Sequence, residues 1–101
     1  MAQNVHGEQA TSLLNEPQTF ILDVRTPEEF RTGALKRAVL IPIDNLERRL
    51  GDLPENKNMN ILIYCAHGVR SAFGAHLLER NGYTQVYNLT GGIVAFLHQK
   101  P

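Results

Sequence analysis

The only cysteine of the chain, Cys65, is followed by Ala66, His67, Gly68, Val69 and Arg70, so four residues separate it from an arginine. It closes the most apolar run of the sequence, residues 60–65, and the residues after Arg70 read as a helix. Gly68 permits the positive φ that a tight loop needs, and successive N–H groups of such a loop can converge on an anion. The helix start adds the positive end of its dipole, and Arg70 adds a fixed charge. Electropositive surroundings of this kind bring a thiol below its usual pKa of about 8.5, so that the thiolate becomes the resting form. A lone cysteine at the end of a strand is otherwise an inert, buried hydrophobe. The glycine, the arginine and the helix start together favour a reactive thiol, a nucleophile whose cradle would equally hold a persulfide anion. Residue chemistry alone leaves open whether it handles sulfur, phosphate or oxidants.

The neighbouring runs suggest how this loop is positioned. Residues 20–24, 39–41, 60–65 and 86–89 are short, β-branched and nearly continuous in apolarity, as strands covered on both faces are. Helical patterns lie between them. Residues 7–15 place Ala10, Leu13 and Leu14 on one face. Thr26 precedes Pro27, Glu28 and Glu29 as an N-cap with acids in the first turn. Ile43, Leu46, Leu50 and Leu53 recur at helical spacing, and residues 71–80 turn Ala72, Ala75, Leu77 and Leu78 inward before stopping at Asn81-Gly82. A last helix covers about residues 92–98. Strands alternating with helices indicate an α/β fold with a mostly parallel sheet. Ligands of such sheets bind beyond the carboxyl ends of the strands, which points at the cysteine loop. Asp23 and Arg25 lie at a second such strand end. Arg25 is a candidate substrate-side charge, or else a structural partner of Glu28 or Glu29, and Asp23 reads as a residue that fixes nearby backbone. Arg70 either orients the loop or binds a donor anion. Gly91-Gly92 reads as a tight strand-to-helix turn passing close to the loop.

Composition narrows the classes. The 101 residues (11.3 kDa) fit one domain, residues 1–101, able to bury a core without staples. Ten basic residues balance ten acidic ones, so no basic field is available for nucleic acid. One cysteine excludes an internal disulfide and a paired-cysteine zinc site, and His6, His76 and His98 fall at unrelated spacings, so no metal is expected. The N-terminal run lacks the basic and apolar regions of a secretory signal, and no stretch approaches the roughly 18 apolar residues of a membrane span. A small cytoplasmic protein of a reducing compartment is the expectation, with no cofactor and neither nucleic acid nor membrane as partner.

The segment from Tyr64 to Ser71 resembles the active-site loop of the single-domain rhodaneses, the thiosulfate sulfurtransferases. The likeness extends along the chain. Leu22-Asp23-Val24-Arg25-Thr26-Pro27-Glu28-Glu29-Phe30 resembles the family's N-terminal signature, and Gly33 with Ala38-Val39-Leu40-Ile41-Pro42 the segment that follows it. The run from Asn88 through Gly91-Gly92 to Phe96 resembles the C-terminal signature. The resemblance implies a rhodanese-like α/β fold, a five-stranded, mostly parallel sheet with helices on both faces. It implies that Cys65 takes a sulfane sulfur from thiosulfate or another persulfide donor and passes it to cyanide, a thiol or a protein. Ala66, His67, Gly68, Val69 and Arg70 would be the persulfide cradle. Phosphatases of this fold have a loop one residue longer, which suits phosphate. Two packing positions depart from the pattern, a missing histidine and glycine after Gly33 and Phe96 in place of the usual tryptophan. Efficient thiosulfate users often carry a fixed cation in the loop, whereas a histidine near neutrality carries only part of one. That implies weak use of thiosulfate, with a persulfide on a protein or small molecule as donor. The rival class is a non-catalytic interaction or redox-sensing module, against which the intact cysteine argues.

Overall fold

Four apolar runs of the sequence become strands, and a fifth strand forms from residues with almost no apolar signal. A computed structural model describes residues 2–98. The order is β1 (Gln3–Val5), α1 (Gly7–Asn15), β2 (Phe20–Asp23), α2 (Pro27–Arg31), β3 (Val39–Leu40), α3 (Ile43–Leu46), β4 (Ile61–Tyr64), α4 (Val69–Arg80), β5 (Val86–Leu89) and α5 (Gly92–His98). A 3-10 segment, Glu47–Asp52, continues α3. The strands form one sheet in the order β1-β5-β4-β2-β3, and every pairing is parallel.

β4 is the middle strand, and all four of its residues are buried. Its side chains alternate between the faces. Ile61, Ile63 and then Cys65 join the core that Leu46, Ala75 and Leu78 close from α3 and α4. Leu62 and Tyr64 join the opposite core, built with Ala10 of α1 and Ile93 of α5. Helices therefore cover both faces, and the alternation that begins at Ile61 aims the Cys65 side chain at α4. Among the described residues no helix is long and apolar enough to cross a membrane.

Two local readings change. The helix expected over residues 71–80 starts at Val69, and its buried residues are Ser71, Gly74, Ala75 and Leu78. Ala72 points outward and Leu77 is only half-buried. The reason is close approach: a Cβ at Gly74 would stand 2.6 Å from Ile63 Cδ1, so the smallest residues must face the sheet. The spacing from Ile43 to Leu53 is helical only at first. Arg49 (φ −114°, ψ 25°) leaves the helical region inside the 3-10 segment, yet Leu46 and Leu53 still reach the core.

The resemblance implied a fifth strand without placing it, and no local signal marks β1. Gln3 and Asn4 are exposed and Val5 alone is buried, so the segment shows no periodicity. It is an edge strand held by its register with β5, Gln3 opposite Tyr87 and Val5 opposite Leu89.

Candidate active site

Cys65 lies just past the carboxyl end of the central strand and is 1% exposed. The chain then turns through Gly68, whose φ of 99° places it in the left-handed region as the N-cap of α4. That turn aims backbone donors at the sulfur. The Gly68 N–H donates to Sγ at 3.1 Å and the Ser71 N–H at 3.4 Å. Ser71 Oγ lies 3.4 Å from Sγ, accepting from the thiol or donating to the thiolate. Burial pushes the Cys65 thiol up, but the Ser71 hydroxyl and the amides of Ser71, Gly68 and His67 together outweigh it, and the pKa falls below the ordinary value. The first N–H groups of α4 have no partner inside the helix, so an anion at this position meets donors that are already oriented.

The loop is fastened from three sides. From α5, the Ile93 N–H donates to the Cys65 carbonyl at 2.9 Å and the Val94 N–H to the Ala66 carbonyl at 3.2 Å. This close approach requires Gly92, since a Cβ there would overlap the Ala66 carbonyl group. The expected role of Gly91-Gly92 as a turn against the loop is thus realised. From β5, Asn88 Nδ2 donates to the Gly68 carbonyl at 3.4 Å. From α2, Glu29 accepts two bonds from the Arg70 guanidinium, at 2.7 and 2.9 Å. Glu29 also completes the cap of its own helix. Its N–H donates to Thr26 Oγ1 at 3.1 Å, and its Oε1 accepts from the Thr26 N–H at 3.0 Å. The bidentate Arg70 contact, opposed by partial burial and aided by Thr26, lowers the Glu29 carboxyl from 4.5 to about 2.

Of the residues singled out from the sequence, the structure brings Cys65 and Gly68 into direct contact. Ala66 and His67 lie in the turn between them, with His67 exposed. Val69 opens α4 with its side chain in solvent. Arg70 orients the loop through Glu29. Arg25, expected as a substrate-side charge or as a partner of Glu28 or Glu29, is 4% exposed and pairs with Asp23 instead. Its Nε and Nη2 reach the Asp23 carboxylate at 2.8–3.1 Å, and Nη2 also donates to the Gly33 carbonyl at 2.7 Å. With its side chain turned onto a buried carboxylate two residues away, Arg25 presents no charge to solvent. Asp23 also accepts from the Arg25 N–H at 2.9 Å, the backbone-fixing role read from the sequence. Ser71, Glu29, Asn88 and the α5 amides were missed. Ser71 had a usable signal, a hydroxyl in the first turn of the helix that opens beside the thiol.

A parallel α/β domain with a recessed thiol at the end of its central strand, met by amides at a helix start, is a cysteine-loop domain whose geometry favours a negatively charged sulfur. The chain belongs to the rhodanese-like domain family, whose pattern matches residues 7–99. It is 37% identical to a rhodanese-like domain protein from Staphylococcus aureus of known crystal structure, with a TM-score of 0.82 over 93% of this chain and 90% of that one. The human single-domain sulfurtransferase TSTD1 shares the fold over the full length of both chains, with a TM-score of 0.84 at 24% identity. Among curated proteins, the tRNA uridine(34) hydroxylase of Photorhabdus laumondii is 31% identical over 94 residues, 89% of this chain. The chain spans about a quarter of that protein's length, 27%.

Proposed function

We propose that this domain is a sulfurtransferase whose Cys65 thiolate carries a sulfane sulfur as a persulfide. The observation that carries the reading is the thiol held by the Gly68 and Ser71 amides and the Ser71 hydroxyl inside a loop with four residues between cysteine and arginine. The thiolate attacks the outer sulfur of thiosulfate. A Cys65–sulfur bond forms, the sulfur–sulfur bond of the donor breaks, and its electron pair leaves with sulfite. Cyanide, a thiol or a protein thiol then attacks the outer sulfur of the persulfide, and the bonding pair returns to Cys65 as thiolate. The loop donors that lower the thiol's pKa favour the thiolate, so the reading assigns no separate general base. The loop amides spread the negative charge of both sulfur forms, the service an oxyanion hole gives to oxygen. The name of the longer tRNA uridine(34) hydroxylase belongs to a protein of which this chain matches a minor part, and it adds no step here.

The test is intact mass after incubation with thiosulfate or glutathione persulfide, then cyanide and a thiocyanate assay, with Cys65→Ser as control. A one-sulfur adduct that cyanide removes as thiocyanate is the expected result. Absence of an adduct with both donors, or equal turnover by Cys65→Ser, overturns the assignment and leaves a redox sensor or interaction module.

A further inference from the structure

The mouth of the cysteine loop is bordered by an apolar shelf that a small sulfur anion does not use. Val69 is 67% exposed and Phe73 is 73% exposed, and Ala72 and His76 complete the same outer face of α4. This face is continuous with the loop, since Gly68 forms its inner edge. Phe73 stands one turn beyond Val69, about 6 Å along the helix axis. A sulfur anion seated on the Gly68 and Ser71 amides is held by the loop itself, so the shelf is reached only by a ligand that extends well past the reacting sulfur. The arginine charge near the sulfur, that of Arg70, is balanced by Glu29, and that of Arg25 is buried on Asp23.

The area sets the kind of contact. Phe73 offers on the order of 150 Å² of apolar surface. A shelf of four residues stays far below the roughly 1,200 Å² in total that stable interfaces bury. It suits a partner that docks, reacts and leaves, and it is too small for a standing dimer.

We infer that this shelf docks a sulfur-donating protein, one that presents a cysteine persulfide with an apolar side chain beside it. The inference rests on the sulfurtransferase reading and names the donor class for it. The Cys65 thiolate attacks the outer sulfur of the partner's persulfide. The new bond forms at Cys65, the partner's sulfur–sulfur bond breaks, and its electron pair leaves as the partner's thiolate. The proton stays on the transferred sulfur, and no oxidant or reductant is consumed.

The test uses two synthetic peptides, each with one cysteine persulfide, flanked by Leu and Phe in one and by Gly and Ser in the other. Glutathione persulfide is the reference donor. At limiting concentration the apolar peptide is expected to load Cys65 at least tenfold faster than the polar one. Phe73→Ser should erase that advantage and leave the glutathione persulfide rate unchanged, and Phe73→Leu should keep most of it. The unchanged reference rate, with circular dichroism, reports that the variants are folded. Equal rates for the two peptides, or an advantage that survives Phe73→Ser, overturns the docking role. So does sedimentation of the wild type as a dimer that Phe73→Ser dissolves, which would give the shelf to a second copy. Failure of every donor, glutathione persulfide included, to place sulfur on Cys65 would instead bring down the sulfurtransferase reading itself.

Discussion

Replacing Gly92 by alanine tests whether the loop owes its chemistry to the helix that fastens it. Gly92 has a φ of +69°, and an added Cβ would overlap the Ala66 carbonyl and stand 2.5 Å from the Cys65 carbonyl oxygen. Both obstacles are backbone, so no side chain can swing aside. Restoring an ordinary contact requires the loop or α5 to retreat by about 1 Å. The left-handed conformation itself costs an alanine about 1–2 kcal/mol. The two amides reach Sγ at 3.1 and 3.4 Å, and a retreat of that size carries at least one out of hydrogen-bonding range. Removing one preorganised donor typically costs about 100-fold or more in rate. Gly92→Ala is therefore expected to load sulfur about 100-fold more slowly in a single turnover, and its thiol should titrate at higher pH. Loading is followed by intact mass, titration by the pH dependence of iodoacetamide alkylation, and folding by circular dichroism and a thermal melt. A folded variant with the wild-type alkylation profile and loading rate would refute the argument that a glycine at this position sets the loop.

Two further outcomes follow from the same geometry. Ser71→Ala removes the hydroxyl that helps to hold the Cys65 pKa down. Its alkylation inflection should move to higher pH, and its rate at neutrality should fall roughly tenfold, as expected for one hydrogen bond to a charged group. An unchanged inflection would remove the hydroxyl from the account. Glu29 has its carboxyl lowered from 4.5 to about 2 by Arg70, so it binds fewer protons folded than unfolded across that range. The stability it contributes is complete above pH 4.5 and is lost as pH falls from there to about 2. Urea midpoints across that window should fall more steeply for wild type than for Glu29→Gln, and parallel acid limbs would contradict the pairing.

The fold was legible where one residue type does one job. The unbroken apolarity of β4, Thr26 with Pro27 and the two acids behind it, and the position of Gly68 each carry a local physical signal, and each appears as read. The site was legible in its reactive atom and in its loop. What stayed hidden was partnership between distant segments. Glu29 reads locally as a capping acid, and nothing near it in the sequence announces that its outer face holds Arg70, 41 residues on. Arg25 looked like a charge at a ligand-bearing sheet edge, and only the fold turns its guanidinium onto Asp23, two residues back. Arg37 follows Lys36 with no local sign of a partner, yet its guanidinium donates to the carbonyls of Leu14 and Glu16 at the end of α1, at 2.6 and 3.2 Å.

The parallel pairing of the first strand with the last has a consequence for how the thiol comes into being. Gln3 lies opposite Tyr87, and the amides that fasten the loop belong to Ile93 and Val94. Contacts of such long sequence separation are intrinsically slow to close. The donors on the sulfur are local, from Gly68 and Ser71, but the loop that presents them is fastened from α5. Until those distant segments dock, the loop is unfastened. The thiol is armed by the folding of the whole domain and not by its own segment alone.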